Sequence, residues 1–463
     1  MVWIVRLVSV GAEGEEHGTD IMRIARPDDL TDLAALGLSL AEGKRLLAGV
    51  QREVVAAQAR AHAVRRPACR GCGGVCRVKD YRQHAVATPF GQVAVRLPRF
   101  RCAGCGATET GVAWPPHARS TPELDRLRAR LSALMTYRTA AEVLAQLLPV
   151  DAGADPETLR RHTFKVAEGL FKVAEGLSTP VAATAVAPAE AIVVTLDSTL
   201  IRSCGDGERH LEVRIGNVET ATGRRQVFGA VARTDTDPAA LIRRGLDAVG
   251  CAGGTALTAF TDGCPGLRRI LLEAGVDGLP ILDWFHLGMR LRHLAQIAGG
   301  LACDGPERAA AKAAVVEEVE RLRWRLWNGK AKDAGISIGR IRAVMHHFRI
   351  EPDGGRSIAP PSRRMWTALR ALDDYLVGQS DWLVDYGERH HAGLRVGTAL
   401  TEGTANFLVS RRMSKSQQMR WSRRGADRLL QVRCAVYNGT LGTGCGQRFH
   451  AANDRHPQPA IAA

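Results

Sequence analysis

No apolar run in this 463-residue chain reaches the length of about 20 residues that spans a bilayer, so no membrane helix is expected. The opening Met1-Val2-Trp3-Ile4-Val5-Arg6 has no positive charge ahead of its apolar residues, so no signal peptide is expected. Met22 is an alternative start. Carboxylates are in deficit: 48 Asp and Glu stand against 63 Lys and Arg, a formal net charge of +15. Such a balance favours a polyanionic partner, because basic side chains on phosphates release condensed counterions. A merely basic soluble protein is the bland alternative. Eleven cysteines is an odd number, and their clustering does not suit a disulfide framework. A reducing compartment follows, with the cytoplasm and its nucleoid as the expected location.

With 45% hydrophobic and 24% charged residues the chain reads as globular, and its length calls for two to four domains. Residues 1–66 are expected to be an N-terminal helical region, with a helix over 39–64 on the spacing of Leu47, Val50, Val54 and Ala57. Residues 67–115 carry clustered cysteines and β-like pieces. Residues 116–187 read as helical and then linker. Ser120-Thr121-Pro122-Glu123 offers a helix start, with Leu124, Leu127, Leu131 and Leu134 as one stripe. Helices are expected at 139–148 and 156–177. The second contains Phe164-Lys165-Val166-Ala167-Glu168-Gly169-Leu170, repeated unchanged as 171–177, and seven residues keep a helical face nearly in register.

After the Ala/Pro stretch 178–189, strands are expected at 192–202, 211–219 and 226–233, then a helix at 237–249, a strand at 256–261, a helix at 265–274 and a strand at 279–283. Three strands followed by alternating helix and strand is the order of an α/β, ribonuclease-H-like core, here over 188–286. Residues 287–395 read as a helical insertion with Val315, Val319, Leu322 and Leu326 on one stripe. Residues 396–440 return to the core with a helix at 399–413, and 441–463 read as a disordered tail.

The most specific isolated motif is Cys69-x-x-Cys72 with Cys102-x-x-Cys105. Two thiolates on each tight knuckle can close a tetrahedral Zn²⁺ site and leave no open position for catalysis. Gly71, Gly73, Gly104 and Gly106 free the knuckle backbones, and Cys76 is left over. Reduced buried cysteines or disulfides are the alternative. The helices at 139–148 and 156–169 resemble a helix-turn-helix, where Arg160, Arg161 and Lys165 could meet DNA; simple helical packing is the alternative.

Asp197 and Asp262 each end an expected strand, and Glu402 lies on the helix after the insertion. Three carboxylates so placed can hold two hard Mg²⁺ ions, Mn²⁺ substituting, which suits phosphodiester chemistry. Asn406 lies one turn beyond Glu402 and could orient it. Arg411, Arg412, Arg420 and Trp421 could bind a DNA end, the indole stacking on an unpaired base; burial of Trp421 is equally open.

Asp283-Trp284-Phe285-His286 resembles the Asp-x-x-His signature of Mutator-like transposases. Leu400-Thr401-Glu402-Gly403-Thr404-Ala405-Asn406, with Arg411-Arg412-Met413 and Gln417-Gln418-Met419-Arg420-Trp421-Ser422, resembles the terminal catalytic block of Kra-type bacterial insertion-sequence transposases. Together with the cysteine pairs, Leu196-Asp197-Ser198-Thr199 and Thr261-Asp262-Gly263, the likeness spans about residues 65–440; the 164–177 duplication departs from it. The resemblance implies a DDE transposase with Asp197, Asp262 and Glu402 as metal ligands and catalytic residues, and Asp283 and His286 in support. For that pair, a satisfied structural Asp–His contact and direct DNA contact are both open. It further implies Mg²⁺-dependent cleavage at element ends and strand transfer into target DNA, with no covalent intermediate, by a homodimer or larger assembly on double-stranded DNA. A catalytically inert zinc-containing DNA-binding protein and a ribonuclease-H-like nuclease without strand transfer are the rival readings.

Overall fold

A computed structural model of the chain describes residues 1–11, 14–29, 32, 33, 36–110, 112, 114, 119–150, 155–176, 187–205, 207–348, 360–398, 403–413 and 419–441. The chain divides into two compact units, one within Met1–Ser178 and one within Thr179–Asn438. Both mix helices with small sheets. Among the described residues no helix is long and apolar enough to cross a membrane.

The first unit begins with an antiparallel hairpin, β1 (Val2–Val10) and β2 (Glu16–Ala25), which corrects the expectation that 1–66 is helical throughout. Val2, Ile4, Val5, Val8 and Val10 are β-branched, and such side chains favour the pleated backbone. Helix α1 (Leu40–Val64) follows, opened by a capping box in which Ser39 and Glu42 satisfy each other's backbone N–H. Its packed stripe is Val55 and Ala59 against Val93, Val95 and Leu97. The expected stripe is thus misplaced, and Leu47 and Val54 stay exposed. The next sheet, in the order β3-β4-β5, joins the long hairpin β3 (Cys76–Thr88) and β4 (Gly91–Cys102) to the short β5 (Thr108–Glu109). Helices α2 (Pro122–Leu134), α3 (Tyr137–Leu147) and α4 (Pro156–Gly176) complete the unit. Thr121 and Thr136 cap the first two, and Leu144 and Leu159 pack with Leu127 and Leu131. The duplicated heptad continues one unbroken helix as far as Gly176.

The second unit is built on five strands in the order β10-β9-β6-β7-β8: β6 (Ala191–Arg202), β7 (His210–Thr220), β8 (Arg225–Val231), β9 (Ala256–Thr261) and β10 (Ile281–Leu282). β6, β7 and β8 form an antiparallel meander, whereas β9 runs parallel to β6 and β10 parallel to β9. Gly216 makes the β6–β7 crossing possible, since a Cβ there would fall 2.0 Å from the carbonyl oxygen of Thr195. One face of the sheet, with Ile192, Val194, Leu196 and Val218, packs against α5 (Pro238–Val249) and α6 (Pro265–Glu273). Asp237 starts α5 by accepting the N–H groups of Ala239 and Ala240, and left-handed Gly250 (φ 89°) ends it.

Helix α7 (Trp284–Gly299) leads into α8 (Pro306–Trp327), α9 (Ala331–Val344), α10 (Pro360–Gly378) and the short α11 (Tyr386–His391). Phe260 and Ile281 of the sheet share a core with Leu287 and Leu291 of α7, and Val315, Val319, Leu322 and Leu326 of α8 are buried in it. A π-helical turn, Asn406–Ser410, runs into Arg411–Met413, and α12 (Arg423–Tyr437) closes the unit. Leu429 and Leu430 of α12 pack with Val213, Ile215 and Val231 of the meander. Expectations for the linker at 177–186, the turn at 151–154 and the tail after 441 fall outside the described residues.

Candidate functional site

The four paired cysteines meet at one end of the β3–β4 hairpin. One ligand atom from each of Cys69, Cys72, Cys102 and Cys105 lies within 4.8 Å of every other. Cys69 Sγ is 3.5 Å from Cys105 Sγ, and Cys72 Sγ is 3.4 Å from Cys102 Sγ. Tetrahedral Zn–S bonds near 2.3 Å place sulfurs about 3.8 Å apart, so little adjustment is needed. The knuckles are alike: Gly73 (φ 71°) and Gly106 (φ 73°) take the left-handed conformation just after the second cysteine of each pair. Their N–H groups return to the carbonyls of Cys69 and Cys102. Backbone N–H groups of Cys105 and Gly104 pull Cys102 down to about 6. Neighbouring sulfurs raise Cys72 and push Cys105 up to about 12, so without a metal the cluster favours one thiolate among thiols. This tetra-cysteine group could hold a structural metal such as zinc. Cys76, opposite Cys102 on β3, is fully buried with Phe100, and burial raises its pKa, as suits a packing residue.

A second cluster of chemistry lies on the five-stranded sheet. Leu196 of β6 is the register partner of Thr261 of β9. Asp197 lies within β6, opposite Ile215 of β7, and Asp262 is the first residue past the end of β9, so each acid directly follows a residue of this matched pair. Asp197 Oδ1 accepts the N–H of Ser198 at 2.7 Å, and Asp262 Oδ1 accepts that of Cys264 at 2.9 Å. The turn after Asp262 depends on Gly263, whose φ is 89° and whose added Cβ would meet Gln379 at 2.9 Å.

Asp283 is fully buried and caps α7: Oδ1 accepts the N–H groups of Phe285 and Thr398, both at 2.9 Å, and Thr398 Oγ1 donates to Oδ2. His286, one turn on, places Nε2 3.5 Å from Asp197 Oδ2 and 3.7 Å from Asp283 Oδ2. The hydrogen bond to Asp197 raises the pKa of His286. Burial opposes this, and the charges of Asp197, Asp283 and Asp262 add to it. His286 thus stands between Asp197 and Asp283, too far from Asp283 Oδ2 for a hydrogen bond, and Asp283 has no surface with which to touch DNA.

Glu402 lies outside the described residues, as do Leu400, Thr401, Gln417 and Gln418. Of that block, Thr404 is buried and accepts from Arg225 at 2.6 Å. Asn406 is exposed at the start of the π turn. Arg411 and Arg420 are exposed. Arg412 and Trp421 are not, which corrects their assignment to a DNA end. Arg412 is fully buried, donating to Met419 Sδ at 3.0 Å with its guanidinium 5.3 Å from the Trp421 ring centre. The Trp421 indole N–H donates to the Met413 carbonyl at 3.1 Å, and its backbone bonds the end of β6. A ring buried in this way cannot stack on a base.

In the first unit, Arg160 is paired with Glu157 and lies over Phe164, and Lys165 reaches toward Asp125 at 3.5 Å. Arg161 remains exposed. It also donates to Thr158 Oγ1 at 3.4 Å, so all three of these basic residues have intramolecular partners.

Other contributors carry no local motif. Tyr375 Oη donates to the carbonyl of Asp262 at 2.9 Å, Gln379 Nε2 to that of Gly263 at 2.8 Å, and Tyr386 Oη to that of Leu282 at 2.8 Å. Each lies more than 100 residues beyond its acceptor, where no spacing rule reaches. No protein-family model matches this chain, and no curated protein matches it.

Two measurements check this geometry. Elemental analysis of the purified chain should find one zinc per chain; Cys69→Ser should lose it with a lower melting temperature, and a full metal load in that variant would refute the site. NMR titration of the His286 ring should place its midpoint above 6.5, and Asp197→Asn should lower it. Because the folded pKa is raised, the stabilisation from this contact is complete below about 6.5 and is lost as pH rises through the folded value.

Proposed function

We propose that this chain is a DNA transposase of the DDE type, cutting at element ends and joining the freed strand to target DNA. The observation that carries the reading is the parallel pairing of β6 with β9, in which Leu196 and Thr261, the residues just before Asp197 and Asp262, are register partners. The order β10-β9-β6-β7-β8, with only β7 antiparallel to both of its neighbours, supports a ribonuclease-H-like core, interrupted by the helices between α7 and the π turn. Glu402 enters on its sequence block alone.

Asp197, Asp262 and Glu402 would hold Mg²⁺. Carboxylate oxygens are the hard ligands that Mg²⁺ prefers, and the negative field that favours protonated His286 is one a divalent cation would also feel. Among the described residues only the four cysteines already lie close enough together to hold a metal. Bound there, Mg²⁺ would lower the pKa of a water or sugar hydroxyl and offset charge on the departing oxygen. The chain's own residues orient and bind. Asp283 and its Thr398 contacts fix the start of α7, and His286 would steady the Asp197 carboxylate through the contact to its Oδ2. Arg161, Arg411 and Arg420 are exposed, and their charge would favour phosphates. Hydrolysis at the element end leaves a 3′-hydroxyl; that oxygen then attacks a target phosphorus and displaces the target's own 3′-oxygen. Zinc in the tetra-cysteine group would brace the β3–β4 hairpin without taking part. Holding two ends together calls for at least a homodimer.

The test is incubation with element-end DNA, Mg²⁺ and a target plasmid. Wild type should yield nicks and joints, while Asp197→Asn, Asp262→Asn and Glu402→Gln each lose both and keep end binding. Cleavage retained in any of the three contradicts the assignment. Nicks without joints would mark a nuclease, and binding alone an inert DNA-binding protein.

A further inference from the structure

The turn that carries Asp262 is closed by the Cys264 N–H donating to its Oδ1 and is held further from α10. Gly263 has φ 89°, and a glycine there leaves both flanking peptide planes easy to rotate. Rotation of either plane would move the Asp262 carboxylate. Both planes are held from one direction. Tyr375 Oη donates to the Asp262 carbonyl and Gln379 Nε2 to the Gly263 carbonyl, and these residues lie four apart at the end of α10. Tyr375 is itself fixed by α7, where the Arg290 guanidinium stacks 4.1 Å from its ring centre. Burial pushes the Tyr375 phenol up to about 12, so it remains a donor throughout the working range of pH. The Gln379 Oε1 atom is buried with no hydrogen-bond partner among the described residues, so only the bond to Gly263 accounts for the placement of this amide. A Cβ on residue 263 would strike that amide, so glycine and glutamine fit as a pair.

We propose that Tyr375 and Gln379 are positioning residues that clamp the Asp262–Gly263 turn and so fix the carboxylate of Asp262 for a divalent cation. This rests on the acidic-site reading above and adds to it a part for the helical segment. Supporting groups that orient a ligand carboxylate affect metal affinity without touching the metal. A packing role alone would move stability and leave affinity unchanged.

The experiment is Mn²⁺ titration of the zinc-loaded full chain, reading free Mn²⁺ by electron paramagnetic resonance, with urea melts in parallel. Tyr375→Phe removes one hydroxyl and keeps the ring beside Arg290, and Gln379→Ala removes the other donor. Each should weaken the Mn²⁺ site that Asp262→Asn abolishes by about 10-fold, while exposed Val377→Ala leaves it unchanged. Affinities within about twofold of wild type in both variants, with the site still lost in Asp262→Asn, overturn the clamp and leave the acidic site standing. Mn²⁺ binding that Asp262→Asn does not alter overturns the acidic site and the clamp with it.

Discussion

The register of β6 against β9, with Leu196 opposite Thr261, is the constraint on which the acidic site depends. Side chains alternate along a strand, so Leu196 faces the helices α5 and α6 while Asp197 faces α7. A slip of one residue would bury a carboxylate among Val194, Ile242 and Leu267 and expose the leucine. Hydrophobic burial therefore sets the position of the chemistry: the apolar residues fix the strands, and each acid is the first residue past the paired segment. The same logic orders the tetra-cysteine group, where Cys69 and Cys102 are buried beside Phe100 while Cys72 and Cys105 stay at the surface.

The helices between α7 and the π turn have a bearing on that site. Their own core is apolar, running from Val315 through Leu372, and accounts for their folding. Their polar contacts with the sheet go to strand ends: Tyr375, Gln379 and Tyr386 each donate to a backbone carbonyl at or beside an acid. The helical segment between β10 and the π turn thus touches the sheet beside Asp262 and Asp283.

Much of this was legible in the sequence. The end of β9 just before Asp262 followed from an apolar run that stops at an acid, and the cysteine pairs from their two-residue spacing, whereas β6 runs on past Asp197 to Arg202. The helix start at Thr121 was a local signal of the same kind. What was missed depends on distance or on competition. The β1–β2 hairpin was hidden because an exposed ribbon leaves no buried face to read. Trp421 and Arg412 looked like DNA contacts because an aromatic beside arginines suits that role as well as a core does, and only packing decides. The tyrosine and glutamine donors were invisible, since a hydrogen bond across 113 residues leaves no pattern in the chain. Glu402 rests on its sequence block.

The central claim is that Asp197, Asp262 and Glu402 meet around one cation site. Fe²⁺ put in place of Mg²⁺ in the zinc-loaded chain, with ascorbate and peroxide, cuts the backbone only near where it binds. The account predicts cuts clustered beside residues 197, 262 and 402, suppressed by excess Mg²⁺. Cuts confined to one of these places, or spread without regard to Mg²⁺, would contradict it.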